Sequence, residues 1–214
     1  MQVIQRVKKV VRVEGFSTSG LLRLYLKSAI CSAWFRARGV QSPVVSCQGR
    51  LPVLYSRGQV SIGERFAMRS PLSACELGAD HPDARLEIGD RVFINQGATV
   101  VATSYIKIGD DTLVGEFSAI YDTNHHGLDP LHPPRSAPVV IGNNVWLCRG
   151  VVVLPGSTIG DHTVVAVGSV VNGDLPPRVL AAGNPAQVVR KLDIPDHGWS
   201  RHEAQFLSLS EEIP

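Results

Sequence analysis

The sequence has few aromatic residues, no closely spaced cysteine pair and no long uninterrupted apolar run. Phe, Trp and Tyr make up 6% of its 214 residues against 44% for all hydrophobic types, so we expect a core of Val, Ile and Leu. The four cysteines show no CxxC spacing, which favours idle thiols in a reducing cytosol. Arg23 and Lys27 interrupt the apolar stretch at 21–35, which excludes a signal peptide or membrane span there. The sequence predicts a cytoplasmic protein that could also associate with a membrane.

The charge is uneven along the chain. Residues 1–40 carry eight Lys/Arg and one acid, a net +7, and the rest carries 13 basic and 18 acidic groups, a net −5, giving +2 overall. Residues 1–40 are predicted to be helical, with an apolar stripe formed by Leu21, Leu22, Tyr25, Leu26, Ala29, Ile30, Ala33 and Trp34. Two interpretations remain open: the stripe lies on an anionic membrane surface, or it packs on the rest of the fold.

A six-residue period dominates the second half of the chain. Its apolar positions are Ile141, Leu147, Val153, Ile159, Val165 and Val171, with Gly, Asn, Asp and Pro between them. This period fits neither a helix nor a simple strand, but it is typical of a parallel β-helix in which three hexapeptides make one coil. The sequence therefore predicts an all-β domain.

The repeat can be followed backwards until it is interrupted. It runs through residues 88–120, and the next residue in phase is Ile141, so fifteen extra residues leave the coil within 121–139. A regular coil tolerates an insertion at a corner, where no stacked strand is unpaired. We expect an N-terminal segment at 1–57, the β-helix at 58–191 with its insertion, and a tail at 192–214. The insertion is the first place to look for function.

Three blocks carry a family resemblance: the histidine-bearing segment 122–130, Ile-Gly-Asn-Asn-Val-Trp at 141–146, and Gly-Asn-Pro-Ala at 183–186. Together they resemble the hexapeptide-repeat acyltransferases, close to the galactoside, maltose and polysaccharide O-acetyltransferases. The resemblance implies a left-handed parallel β-helix with a helical N-terminal segment and a short C-terminal extension. It also implies a homotrimer that binds acetyl-coenzyme A in grooves between subunits and needs no metal.

The implied reaction moves an acetyl group from a thioester to a hydroxyl of a sugar, glycan or glycosylated small molecule. The hydroxyl needs a base that is neutral near pH 7, which suits histidine. The family motif places that base at His126, whereas counting without gaps against the galactoside enzymes places it at His125. Asn95 aligns with an active-site Asn that could hold the acceptor. No Ser or Cys has a nucleophile context, so we expect direct transfer in a ternary complex.

The remaining site residues follow from the same resemblance. Asp122 and Asp129 could orient the imidazole or bind sugar hydroxyls, or they could simply shape turns of the loop. Trp146 could wall the acceptor or the pantetheine, or pack on the next subunit. The other expected coenzyme A contacts are Arg149, Val167, Gly168, Asn172, Arg190 and Lys191. The family often has a Lys about where Gly173 stands, so this sequence departs from the family pattern for phosphate anchoring at that position.

Three alternatives remain from the sequence. An amino-sugar N-acetyltransferase would use the same fold and base. A γ-type carbonic anhydrase would need three His ligands, but residues 88–120 contain no histidine. A non-catalytic scaffold would have no use for the loop histidines. No nucleic-acid partner is predicted.

Overall fold

The computed structural model describes residues 18–127, 129–195 and 198–201, over which the chain forms one helix followed by 19 short strands. The helix, α1, spans Thr18–Ala37. The strands are β1 Ser46–Gly49, β2 Val53–Ser56, β3 Gln59–Ile62, β4 Ala67–Ser70, β5 Glu76–Ala79, β6 Arg85–Ile88, β7 Phe93–Asn95, β8 Thr99–Ala102, β9 Tyr105–Ile108, β10 Leu113–Val114, β11 Ala119–Tyr121, β12 Val139–Ile141, β13 Trp146–Leu147, β14 Val152–Val153, β15 Thr158–Ile159, β16 Val164–Val165, β17 Val170–Val171, β18 Val179–Gly183 and β19 Ala186–Lys191.

The strands form three sheets in which each strand pairs with the strand one coil away. Sheet 1 has the order β1-β4-β7-β10-β13-β16-β18-β19, sheet 2 runs β2-β5-β8-β11-β14-β17, and sheet 3 runs β3-β6-β9-β12-β15. All pairs are parallel except β18 with β19. In sheet 1 the register stacks Ile94 on Val114, Leu147 and Val165, all buried. The predicted period of six is therefore the spacing between inward-facing residues.

The first coil begins at Ser46, before the predicted boundary at residue 58. Strands β1 and β2 pair in register with β4 and β5, so they already belong to the coil. Their sequences lack the Gly-Asp corners that mark later coils, which concealed the rhythm. Further along, the chain leaves sheet 2 after Tyr121 and rejoins sheet 3 at Val139.

Helix α1 lies over the open edge of β1. The backbone N–H groups of Val45 and Cys47 donate hydrogen bonds to the hydroxyls of Ser32 and Ser28, so the helix satisfies groups that a neighbouring strand would otherwise pair. The buried side of α1 also carries Cys31 and Phe35. The predicted apolar stripe is divided in the structure: Leu22, Tyr25, Leu26 and Ile30 are exposed, whereas Trp34 packs against the core.

The four cysteines are all buried and free, as expected for idle thiols. Within the described part of the chain, no helix combines the length and the apolarity that a bilayer crossing requires. The predicted helical structure of residues 1–17 lies outside the described residues.

The C-terminal residues 198–201 return to a corner between sheets 3 and 1. The backbone N–H of Arg201 donates to Asn144 Oδ1 at 2.9 Å, and its guanidinium donates to the His162 carbonyl at 2.9 Å. Nδ1 of His162 lies 2.8 Å from Asn144 Nδ2. Burial, followed by the charge of Arg178, lowers the pKa of His162.

Candidate active site

Asp122 anchors the loop at residues 122–138 to the coil. Its side chain is fully buried, and its carboxylate accepts hydrogen bonds from the backbone N–H of Thr103, the Thr103 hydroxyl and the backbone N–H of Ser104, at 2.6–3.1 Å. Its carbonyl accepts from the returning strand of the loop at Ala137. The expected contact of Asp122 with a sugar or an imidazole is therefore not supported, because both oxygens already bind the preceding coil.

The loop presents three histidines to solvent. His125 has a positive φ of 54°, and its N–H donates to the Thr123 hydroxyl, whereas the N–H of His126 donates to the Asn124 carbonyl. A backbone hydrogen bond and an Asn124 side-chain bond to Arg135 tie the two arms of the loop together. The imidazoles of His125 and His126 are therefore exposed on a loop whose attachment to the coil is fixed.

Asp129 pairs with the third histidine instead of His125 or His126. Both of its carboxylate oxygens lie 2.8 Å from Nδ1 of His132, and this hydrogen bond lowers the pKa of Asp129. A carboxylate on Nδ1 leaves Nε2 free to accept a proton. His132 is therefore a candidate base beside His125 and His126, and in this structure Asp129 orients the imidazole of His132.

Asn95 holds a carboxylate on the next coil. Its Nδ2 donates to Glu116 Oε1 at 2.8 Å, and its Oδ1 accepts from the backbone N–H of Gln96. Both side chains are partly exposed at the corner between sheets 1 and 2. The pair offers an acceptor hydroxyl both a hydrogen-bond donor and a carboxylate acceptor.

The same corner contains a ladder of left-handed residues. Gly97, Phe117, Gly150 and Gly168 all have φ between 55° and 69°. Phe117 is the one aromatic member, and a bulky side chain in this region is disfavoured by roughly 1–2 kcal/mol. Its ring lies over Gly97, is 47% exposed, and has the Arg149 guanidinium 5.4 Å from its centroid. Strain of this kind is often retained where a side chain serves a site.

The other end of the ladder is open enough for a long flexible ligand. A Cβ built on Gly168 meets nothing within 4 Å, and one built on Gly150 meets only Gly168. Val167 and Trp146 are exposed beside them. This corner is therefore open to a long flexible ligand, and the structure brings Arg149, Val167 and Gly168 together.

Other predicted residues lie elsewhere on the chain. Arg190 and Lys191 pair with Leu180 and Val179, at the N-terminal end of β18. The length of a strand of sheet 1 therefore separates them from Gly168. Asn172 follows β17, at the corner between sheets 2 and 3, where the loop also leaves the coil. A strand of sheet 2 separates this corner from Asn95. One chain alone does not place Asn95 and the loop histidines at the same corner.

Glu116 and Phe117 were missed by sequence reasoning. Both occupy a corner where the neighbouring coils have Gly as the second residue, as in Gln96-Gly97, Arg149-Gly150 and Val167-Gly168. The presence of Phe117 where the neighbouring coils have Gly was the sequence signal that could have identified this corner. Across the described residues, no group of three or more His, Cys, Asp or Glu side chains could hold a metal ion.

Comparisons with known proteins agree on the kind of repeat. Residues 138–173 match the family model described as bacterial transferase hexapeptide (six repeats). The galactoside O-acetyltransferase of Escherichia coli (strain K12) is 38% identical over 113 residues, which cover 51% of this chain and 56% of that protein. The chain thus spans little more than half of that relative.

Two further proteins match over more of their length. WbbJ of Escherichia coli (strain K12), whose name assigns it provisionally to O-acetyl transfer in lipopolysaccharide biosynthesis, is 31% identical, covering 67% of this chain and 78% of WbbJ. A hexapeptide-repeat acetyltransferase from Vibrio cholerae O1 biovar eltor, solved with acetyl-coenzyme A, is 34% identical with a TM-score of 0.50, covering 62% of this chain and 70% of its own. The coil described above is the predicted left-handed parallel β-helix.

Proposed function

Because the chain belongs to the hexapeptide-repeat acetyltransferases, we propose that it transfers an acetyl group from acetyl-coenzyme A to a hydroxyl of a sugar or glycan. The observation that carries the proposal is the clamped loop at 122–138, which presents exposed imidazoles from a rigid coil. Acyl transfer to a hydroxyl needs such a base, since the hydroxyl is a weak nucleophile until its proton is accepted.

His126 is the proposed base, with His125 and His132 as the competing positions. The neutral imidazole accepts the hydroxyl proton while the oxygen attacks the thioester carbonyl. The tetrahedral intermediate then collapses, the carbon–sulfur bond breaks, and the leaving thiolate takes the proton back from the imidazolium. Backbone N–H groups of the coil would stabilise the oxyanion.

The acceptor cleft is proposed to lie at the corner with Asn95, Glu116 and Phe117. The amide and the carboxylate would hydrogen-bond sugar hydroxyls, while the exposed ring of Phe117 would pack against the apolar face of the sugar. Coenzyme A would run along Gly150 and Gly168, with Trp146 as a wall and Arg149 near its phosphates.

A homotrimer is part of the proposal. Asn95 and the loop histidines lie at different corners of one chain, so a site that uses both requires a second copy to supply one of them. Size-exclusion chromatography with light scattering tests this expectation, and a monomer that retains full activity would contradict it.

The function is tested by following thiol release from acetyl-coenzyme A across a panel of sugars, glycosides and amino sugars. Mass spectrometry of the product separates the alternatives, since an ester identifies O-acetylation and an amide identifies amino-sugar N-acetylation. No thiol release above the rate without acceptor, for any member of the panel, would argue against the proposal. Zinc at one ion per chain in the active protein would instead favour the carbonic anhydrase alternative.

A further inference from the structure

Helix α1 is apolar on two opposite sides. One side, with Cys31 and Phe35, is buried against the first coil. The other carries Leu22, Tyr25, Leu26 and Ile30, which are between 53% and 73% exposed. We call these four residues the outer stripe; their spacing of three and four places them on one face of the helix. A surface helix of a globular protein normally keeps its outward face polar, so this stripe needs a partner.

The outer stripe points away from the end of the β-helix. Ser28 and Ser32 bond to the edge of β1, the first strand of sheet 1, so α1 covers the first coil. The opposite face of α1 is therefore turned away from this end of the β-helix. An apolar groove of about 700 Å³ between α1 and the first coil adjoins the stripe, with Tyr25, Val44 and Phe66 among its lining residues. The exposed apolar surface therefore extends beyond the helix.

The sequence on either side of the stripe is mostly basic. Residues 15–63 contain six Lys or Arg and no Asp or Glu, and the preceding residues 1–14 add Arg6, Lys8, Lys9 and Arg12 against Glu14. Arg23 directly follows Leu22, and Lys27 follows Leu26. The guanidinium of Arg38 stacks on the ring of Trp34, 3.2 Å from the ring centroid, and Trp34 follows Ile30 by four residues. The groove beside the stripe contains one acid, Glu64, next to Arg65. An apolar face bordered mostly by cations is complementary to anionic lipid headgroups above an acyl-chain layer.

We propose that the outer stripe docks the protein on an anionic membrane surface, with the axis of the coil pointing away from the bilayer. This interaction does not depend on the acetyl transfer proposed above. Tyr25, which is 73% exposed, suits the interfacial depth because it combines an apolar ring with a polar tip. The basic residues supply the lipid selectivity, since each one near an anionic surface strengthens binding several-fold at low salt.

The test is vesicle co-flotation of the full chain with phosphatidylcholine alone and with phosphatidylcholine containing phosphatidylglycerol. We expect the bound fraction to be at least about tenfold higher with the anionic lipid, and to fall at high salt. Leu26→Gln with Ile30→Gln should reduce binding to anionic vesicles by at least about tenfold, because both side chains lose their insertion. Val189→Gln is the matched control, since Val189 is similarly exposed on β19 and should bind as the wild type does.

The competing occupant of the stripe is a second copy of the chain. In that case the double variant would lower the molecular mass in light scattering, and the wild type would not float with anionic vesicles; this result would overturn the proposal. Equal flotation of the wild type and the double variant would also overturn it. A second double variant, Leu22→Gln with Tyr25→Gln, guards against misfolding of the first, and circular dichroism checks both. Thiol release with a soluble acceptor should be unchanged in both variants.

Discussion

The stacked coils and the loop at 122–138 are held in place by different kinds of interaction. In the coils, each strand pairs with strands above and below, and inward residues such as Leu147 and Val165 are fully buried. The loop is mostly exposed, and its position depends on Asp122 and a few hydrogen bonds between its two arms. The difference teaches that a mutation in the coil should affect stability, whereas one in the loop should affect activity.

The largest expected effect is on activity, through the base. His126→Ala should lower kcat by about 100-fold or more, because that is the low end for loss of a general base. Its free energy of unfolding should stay within about 0.5 kcal/mol of the wild type, since the side chain is exposed. Steady-state kinetics with the best acceptor provide the measurement. His125→Ala and His132→Ala are the controls, and the variant with the largest decrease in kcat identifies the base.

The next effect is on stability and compares two leucines directly. Leu147→Ala should lower the free energy of unfolding by about 2–5 kcal/mol, because it leaves a cavity in the stack of sheet 1. Leu131→Ala, at an 86% exposed position in the loop, should change it by less than about 0.5 kcal/mol. Denaturant unfolding measures both. Similar losses at the two positions would remove the contrast between coil and loop.

Asp122 should affect both properties because it joins the two regions. Asp122→Asn replaces a charged acceptor of three N–H and O–H donors by an amide, and we expect a loss of about 1–3 kcal/mol of stability. A lower kcat should accompany this loss, since the loop that carries the histidines is no longer held at its attachment to the coil. Asp174→Asn, at an exposed corner residue, is the control and should leave both quantities unchanged.

Phe117→Asn should sharpen the comparison at a corner of the coil itself. Asn adopts the left-handed region more readily than Phe, so stability should not fall by more than about 1 kcal/mol. The KM for the acceptor should rise if the ring packs on it, while the KM for acetyl-coenzyme A should not change. A change confined to acetyl-coenzyme A would instead assign the ring to the cofactor groove.

The smallest effect is a pH dependence of the coil. Burial and Arg178 lower the folded-state pKa of His162 below 6.5, whereas Asp161 opposes this shift. The unfolded state therefore binds the proton more readily, so the stabilising contribution is complete above about pH 6.5 and is lost as the pH falls toward the folded pKa. Unfolding at pH 8 and pH 5.5 should show this loss. His162→Asn should make the pH dependence weaker, and an unchanged dependence would contradict this assignment.

The regular part of the fold was predictable from sequence because an inward residue recurs every six positions. The period gave the stacking of Ile94, Val114 and Leu147, and its interruption located the loop. The first coil was missed because β1 and β2 lack the corner residues. The buried face of α1 stayed open at the sequence level because apolar residues occur on both sides of that helix, and sequence alone does not say which side packs.

The site was predictable only in part, for a physical reason. Motif spacing identified the loop histidines and the corner with Arg149 and Gly168, but not which side chain each carboxylate contacts. Asp122 bonds to Thr103 and Ser104 nineteen and eighteen residues away, and Asp129 bonds to His132 three residues away. Glu116 bonds to Asn95 on the neighbouring coil. Such pairings depend on the stacking of coils and on the path of the loop.

The two ends of the β-helix also set a limit on growth. A coil with bare ends would offer matching rows of N–H and C=O groups, so that molecules could add end to end into filaments. In sheet 1, α1 covers the edge at β1 with two serine hydroxyls, and at the other end of that sheet the chain reverses into the antiparallel β19. The parallel ladder of sheet 1 is therefore terminated at both ends by segments outside the repeat.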